Sequence, residues 1–145
     1  MLPSRHIIVS ISLGAITWAY AQSLLAGLIC FCVGVFCDLD HIIEYAINYD
    51  LRSLSVKRLY QASADLIKPE SEIKKIRLFF HTAELAILLW VIAIFSNNIF
   101  VLAAALGYSA HIMMDMAANI LKPAGYFMFW RIKNSFQTAR LVKNY

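Results

Sequence analysis

Charge is what this chain has least of: 15% of its 145 residues are Asp, Glu, Lys or Arg, while 61% are hydrophobic. Soluble domains carry about 25% charged and roughly 45–50% apolar residues, so a wholly water-facing surface is excluded. Cysteine is also scarce. Cys30, Cys32 and Cys37 lie in one apolar run. An odd count on a continuous helix excludes a disulfide framework and leaves them as small packing residues, with a thiolate role open only to Cys37 beside Asp38. Basic residues interleaved with aromatics are missing, so the net charge of +4 points to a membrane surface and not to nucleic acid. The length allows one domain.

What the chain does have is four long apolar segments: 6–20, 23–37, 76–95 and 99–117. They predict an all-α protein, an integral-membrane four-helix bundle with short spans. Only Ala21 and Gln22 separate the first two, which requires a tight helical hairpin. As helices these two reach about 22 Å each, short of the usual ~30 Å hydrocarbon core, so tilt or a thinned bilayer has to make up the difference. Residues 1–21 have the outline of a signal peptide, with Arg5, an apolar run and Ala19-Tyr20-Ala21. A second apolar run follows at once, so the segment is expected to stay as the first span.

Lys and Arg are absent from the two short turns and gather elsewhere: Arg5 before the first segment, Arg52, Lys57, Arg58, Lys68, Lys74 and Lys75 in one loop with Arg77 just inside the third segment, and Lys122, Arg131, Lys133, Arg140 and Lys143 after the fourth. The positive-inside rule then predicts a multi-pass protein with both termini and the long loop cytoplasmic. Helical spacing over 51–68 and 130–143 predicts two amphipathic interfacial helices, the first ended by Pro69.

The four histidines all fall where a span meets that cytoplasmic boundary. They are His6, His41 in Asp38-Leu39-Asp40-His41, His81 three residues before Glu84, and His111 four before Asp115. Spacings of three and four place two side chains on one helix face, so each pair can share a metal. An ionisable group in an apolar segment costs several kcal/mol unless paired or metal-bound. We therefore take His6, Asp38, His41, His81, His111 and Asp115 as metal ligands. Mixed imidazole and carboxylate donors suit zinc, with manganese and iron compatible, and the number of donors allows one to three ions.

These motifs resemble the membrane-bound metal-dependent hydrolase family of bacterial inner membranes, itself similar to zinc-dependent phospholipase C and the S1/P1 nucleases. The family carries an N-terminal His, a Pro-Asp-x-Asp-His segment, a His-Arg-Gly-x-Thr-His segment and a Gly-Tyr-x-x-His-x-x-x-Asp segment. This chain matches with His6, Asp38 to His41, Arg77 and His81, and Gly107-Tyr108 through His111 and Asp115. It departs at Cys37, Ile76, Leu78 and Phe80, which stand where the family has proline, histidine, glycine and threonine. The resemblance implies hydrolysis of phosphoester bonds in a phospholipid or polyprenyl phosphate at the cytoplasmic face. Asp40 or Glu84 would be the base, and Arg77 or Arg131 would hold phosphate oxygens. A homo-oligomer or a partner in a membrane complex is compatible with it.

Three other readings fit parts of the pattern. A scaffold or accessory subunit would use the metal only to staple helices. A haem protein would use histidines on facing helices as axial ligands. A metal transporter would need a second donor set across the membrane, and the sequence has none.

Overall fold

The computed structural model describes residues 3–48, 75–118 and 121–142. The helix expected over 51–68 lies outside them. Among the described residues the protein is all-α, with two isolated β-bridges and no strand. The described residues form two compact units, one within 1–37 and 83–118, the other within 38–82 and 119–145.

The first unit is built from α1 (Pro3–Ala21), α2 (Leu24–Phe36), α4 (Ala83–Ser96) and α5 (Ile99–Ala118). Pro3 opens α1, where a missing amide proton costs nothing. The expected hairpin is present. Gln22 adopts a left-handed φ of 50° and its Nε2 donates to the carbonyl of Ala19 at 2.6 Å, ending α1. Ser23 then caps α2 by accepting from the Ala26 amide at 3.3 Å. The same logic joins α4 to α5: Asn97 is left-handed (φ 47°) and Asn98 Oδ1 accepts from Phe100 N at 2.8 Å.

Packing within this unit depends on small residues. Gly27 of α2 lies so close to α1 that a Cβ there would sit 2.7 Å from the Gly14 carbonyl oxygen. At Gly107 of α5 a Cβ would fall 2.1 Å from the Cys30 carbonyl. Ala26, Cys30 and Ala103 form the buried centre, flanked by Leu13, Ile29, Ile99 and Leu106. Cys30 thus packs as a small apolar residue, as its setting implied. Trp90 of α4 donates to Ser109 Oγ of α5 at 2.9 Å.

Two stretches, Leu24–Glu44 and Ile99–Ala118, are long and apolar enough to cross a membrane by length and composition. The third expected span is corrected. It begins at Ala83 and not at 76, because residues 75–82 are not helical. Fourteen residues reach only about 21 Å.

The second unit holds α3 (Leu39–Asn48), the segment 75–82, a 3-10 turn at Pro123–Tyr126, α6 (Met128–Lys133) and α7 (Thr138–Leu141). The single interfacial helix expected over 130–143 is also corrected. Ser135 and Phe136 take left-handed φ values of 51° and 59°, which break it into α6 and α7. The bridges Lys75–Gln137 and Leu121–Val142 tie the unit together. The exposure of α3 is inverted relative to a soluble helix. Asp40 and Glu44 are buried, whereas Leu39, Ile42, Ile43 and Ile47 face outward.

Candidate metal centres

Among the described residues each unit contains one cluster of histidine and carboxylate. In the first, α5 places His111 and Asp115 on one face, and α1 brings His6 to the same point. All three are nearly inaccessible to solvent. Asp115 is shared: Oδ1 lies 3.1 Å from His6 Nε2 and Oδ2 lies 3.5 Å from His111 Nε2. The two imidazoles stack with centroids 4.2 Å apart. His111 Nδ1 is 2.7 Å from the carbonyl oxygen of Gly34, near the C-terminal end of α2 where helix carbonyls lack intrahelical partners. A carbonyl can only accept, so Nδ1 carries the proton. Nε2, turned toward Asp115, is then the nitrogen whose lone pair a cation could take.

In the second unit Asp38 precedes α3, Asp40 and His41 lie in its first turn, and His81 stands on the irregular segment 75–82. The expected setting is corrected here. Asp38 and His41 lie in the last part of the apolar stretch Leu24–Glu44, as expected, but His81 precedes α4 instead of opening it. The i,i+3 relation of His81 to Glu84 is therefore not a helical one. Glu84 sits in the first turn of α4, half-buried.

The donors nevertheless converge. Asp38 Oδ1 lies 3.2 Å from His81 Nε2 and 3.4 Å from His41 Nε2. The other ring nitrogen of His81, Nδ1, lies 3.0 Å from both carboxylate oxygens of Asp40. Ligand atoms of Asp40, His41 and His81 all lie within 4.8 Å of one another. No family model, characterised protein or solved structure matches the chain. The donor set is what speaks for a metal. In both clusters imidazole nitrogens and carboxylate oxygens face each other, in the first in a desolvated setting and in the second with Asp38 and His41 partly exposed, and buried His6 Nδ1 makes no hydrogen bond. A cation between such atoms compensates their desolvation. The Asp40–His81–Asp38 sequence has the carboxylate–histidine arrangement that orients a metal-binding imidazole from its far nitrogen.

Two residues expected to do chemistry are engaged otherwise. Asp40 is buried, and besides His81 it accepts from the amide of Phe80 at 2.9 Å, so it holds the His81 ring and is not placed as a base. Arg131 is fully buried, and its guanidinium donates to backbone carbonyls of Gly125, Arg77, Leu78 and His81. It is not placed to take a phosphate. Arg77 is partly exposed, with Nη1 at 3.3 Å from Glu44 Oε1. Sequence reasoning missed this role of Glu44, which is buried and also accepts from the amide of Arg77 at 3.1 Å. Its signal was its place four residues after Asp40, on the same helix face.

The stacked His6 and His111 rings leave no room for a porphyrin between them. His41 and His81, edge to face at 4.8 Å, leave none either. Neither pair can be the axial pair of a haem.

Proposed function

We propose that this chain is a multi-pass protein of the bacterial inner membrane, with both termini cytoplasmic, that binds divalent metal through its two histidine–carboxylate clusters and hydrolyses phosphoester bonds of lipid headgroups. The observation that carries the metal part is the meeting of His41 Nε2 and His81 Nε2 on one oxygen of Asp38, with Asp40 behind His81. Zinc suits these donors best, and manganese or iron are compatible.

The membrane part is supported by what the helices turn outward. Ile8, Ile16 and Trp18 of α1, Ile94 and Phe95 of α4 and Met113 of α5 are each more than half exposed. Large apolar side chains turned outward on several helices suit lipid better than water. The resemblance to the membrane-bound hydrolases gains one structural support. Leu78 has a φ of 38°, a left-handed conformation that glycine adopts freely, and the family's motif has glycine at the matching position.

Metal held at these clusters would supply a water acidified toward neutrality and a Lewis acid for the P=O oxygen. The remaining work falls to the chain. Arg77, held by Glu44 and partly exposed, is the cation for phosphate oxygens. The engagement of Asp40 and Arg131 favours a second reading, a scaffold in which the metal only staples helices.

The test is elemental analysis of protein purified without a polyhistidine tag, alongside headgroup release from anionic and zwitterionic phospholipid vesicles. Bound zinc or manganese with turnover supports the hydrolase. Bound metal without turnover on any phosphoester lipid gives the scaffold, and absence of metal removes both.

A further inference from the structure

We propose that Arg131 is a positioning residue for the Asp38, Asp40, His41 and His81 cluster: its guanidinium fixes the irregular segment that carries His81 and so sets how tightly the cluster holds metal. The inference rests on the metal reading above and adds to it a residue that touches no ligand.

Residues 76–82 lie outside any helix, with Leu78 left-handed, so their backbone groups must find partners elsewhere. Leu78 O accepts from His81 N at 3.2 Å within the segment, and one outside side chain takes three of its carbonyls. Arg131 Nη1 donates to Arg77 O at 2.8 Å and also to Leu78 O, and Nη2 donates to His81 O at 2.6 Å. Nε, on the remaining edge of the fork, donates to Gly125 O. The amide side is taken by α3 and the chain after α6. Glu44 accepts from Arg77 N at 3.1 Å, Asp40 from Phe80 N at 2.9 Å, and Phe136 O from Ile76 N at 2.9 Å. His81 is thereby located twice, by Asp40 on its ring and by Arg131 on its own carbonyl.

The choice of arginine follows from this geometry. A guanidinium offers five donors in a rigid plane and can reach several carbonyls in different directions. A lysine ammonium carries three donors at one point and cannot span Gly125 and His81 together. Partners one step removed from a metal ligand typically change affinity by roughly 10- to 100-fold when lost.

The experiment uses the full chain in detergent, with Zn²⁺ affinity read by competition with a chromophoric chelator and helicity by circular dichroism. Arg131→Lys is expected to retain helicity and lose roughly tenfold or more in Zn²⁺ affinity. In a His81→Ala background the same substitution is expected to change affinity by less than about twofold, because the residue it acts through is gone. Unchanged affinity in Arg131→Lys overturns the inference, as does an equal loss in both backgrounds, which marks a general loss of structure. Should Arg131→Lys lose its helicity, the wild type provides the reading through reciprocity. Saturating Zn²⁺ is then expected to slow hydrogen exchange of the Arg131 guanidinium, and unaltered exchange overturns the inference. A wild-type chain that binds no Zn²⁺ fails the metal reading itself, a result distinct from all of these.

Discussion

His111 Nδ1 donates to the carbonyl oxygen of Gly34 at 2.7 Å, and this one bond decides which ring nitrogen faces Asp115. The helix end of α2 thus sets the tautomer of a residue 77 positions later. Replacing His111 by Ala is expected to abolish metal at the His6–His111–Asp115 cluster. It should also cost about 2–4 kcal/mol, from an emptied buried site and a Gly34 carbonyl without its donor. Elemental analysis and thermal unfolding check the two effects separately. Unchanged metal stoichiometry would sink the assignment of this cluster.

Chelation is expected to lower the unfolding free energy, since a ligand that binds only the native state stabilises it by mass action. At free metal a hundred times Kd the difference is about 2.7 kcal/mol. Tm measured across a range of free Zn²⁺ should rise with concentration, and a Tm indifferent to both zinc and chelator would count against any native metal site.

Gly107→Ala is expected to destabilise by about 1–3 kcal/mol, because the new methyl meets the Cys30 carbonyl, a backbone atom that no rotamer change can move. Helix propensity alone predicts the opposite sign, a gain of about 1 kcal/mol. Denaturant unfolding distinguishes the two, and a stabilised variant would show that α2 and α5 do not approach as described.

Leu88 is exposed midway along α4, and its replacement by Asp tests the lipid environment. A water-facing position would tolerate the change within about 0.5 kcal/mol. A lipid-facing one near the middle of a span carries an insertion cost of about 2.5–3.5 kcal/mol. Fractionation of cells expressing the variant should show loss of membrane-integrated protein, and unchanged integration would contradict the placement of α4 in lipid.

Much of the helical layout was legible in the residue pattern. The hairpin at Gln22–Ser23, the break at Asn97–Asn98 and the spacing of His111 and Asp115 are local, and local chemistry sets them. The run from 76 to 95 misled because Ile76, Leu78, Phe79 and Phe80 are as apolar as a helix requires. Their backbone is held open by Arg131, Glu44 and Asp40, and composition carries no trace of that. The tail misled for a related reason: its helical spacing runs through Ser135 and Phe136, whose left-handed backbone the pattern does not mark.

By itself, then, the sequence determined that the protein is helical and rich in apolar segments, of which the structure leaves two long enough for a membrane, and that histidine and carboxylate lie at metal-binding spacings. These follow from periodicity and composition, which act over a few residues. Only the tertiary structure decided which carboxylate meets which imidazole nitrogen, and which backbone and ring groups Arg131 and Asp40 hold. Such roles depend on where buried polar groups find partners far along the chain, as Asp40 does at His81 and Arg131 at Leu78.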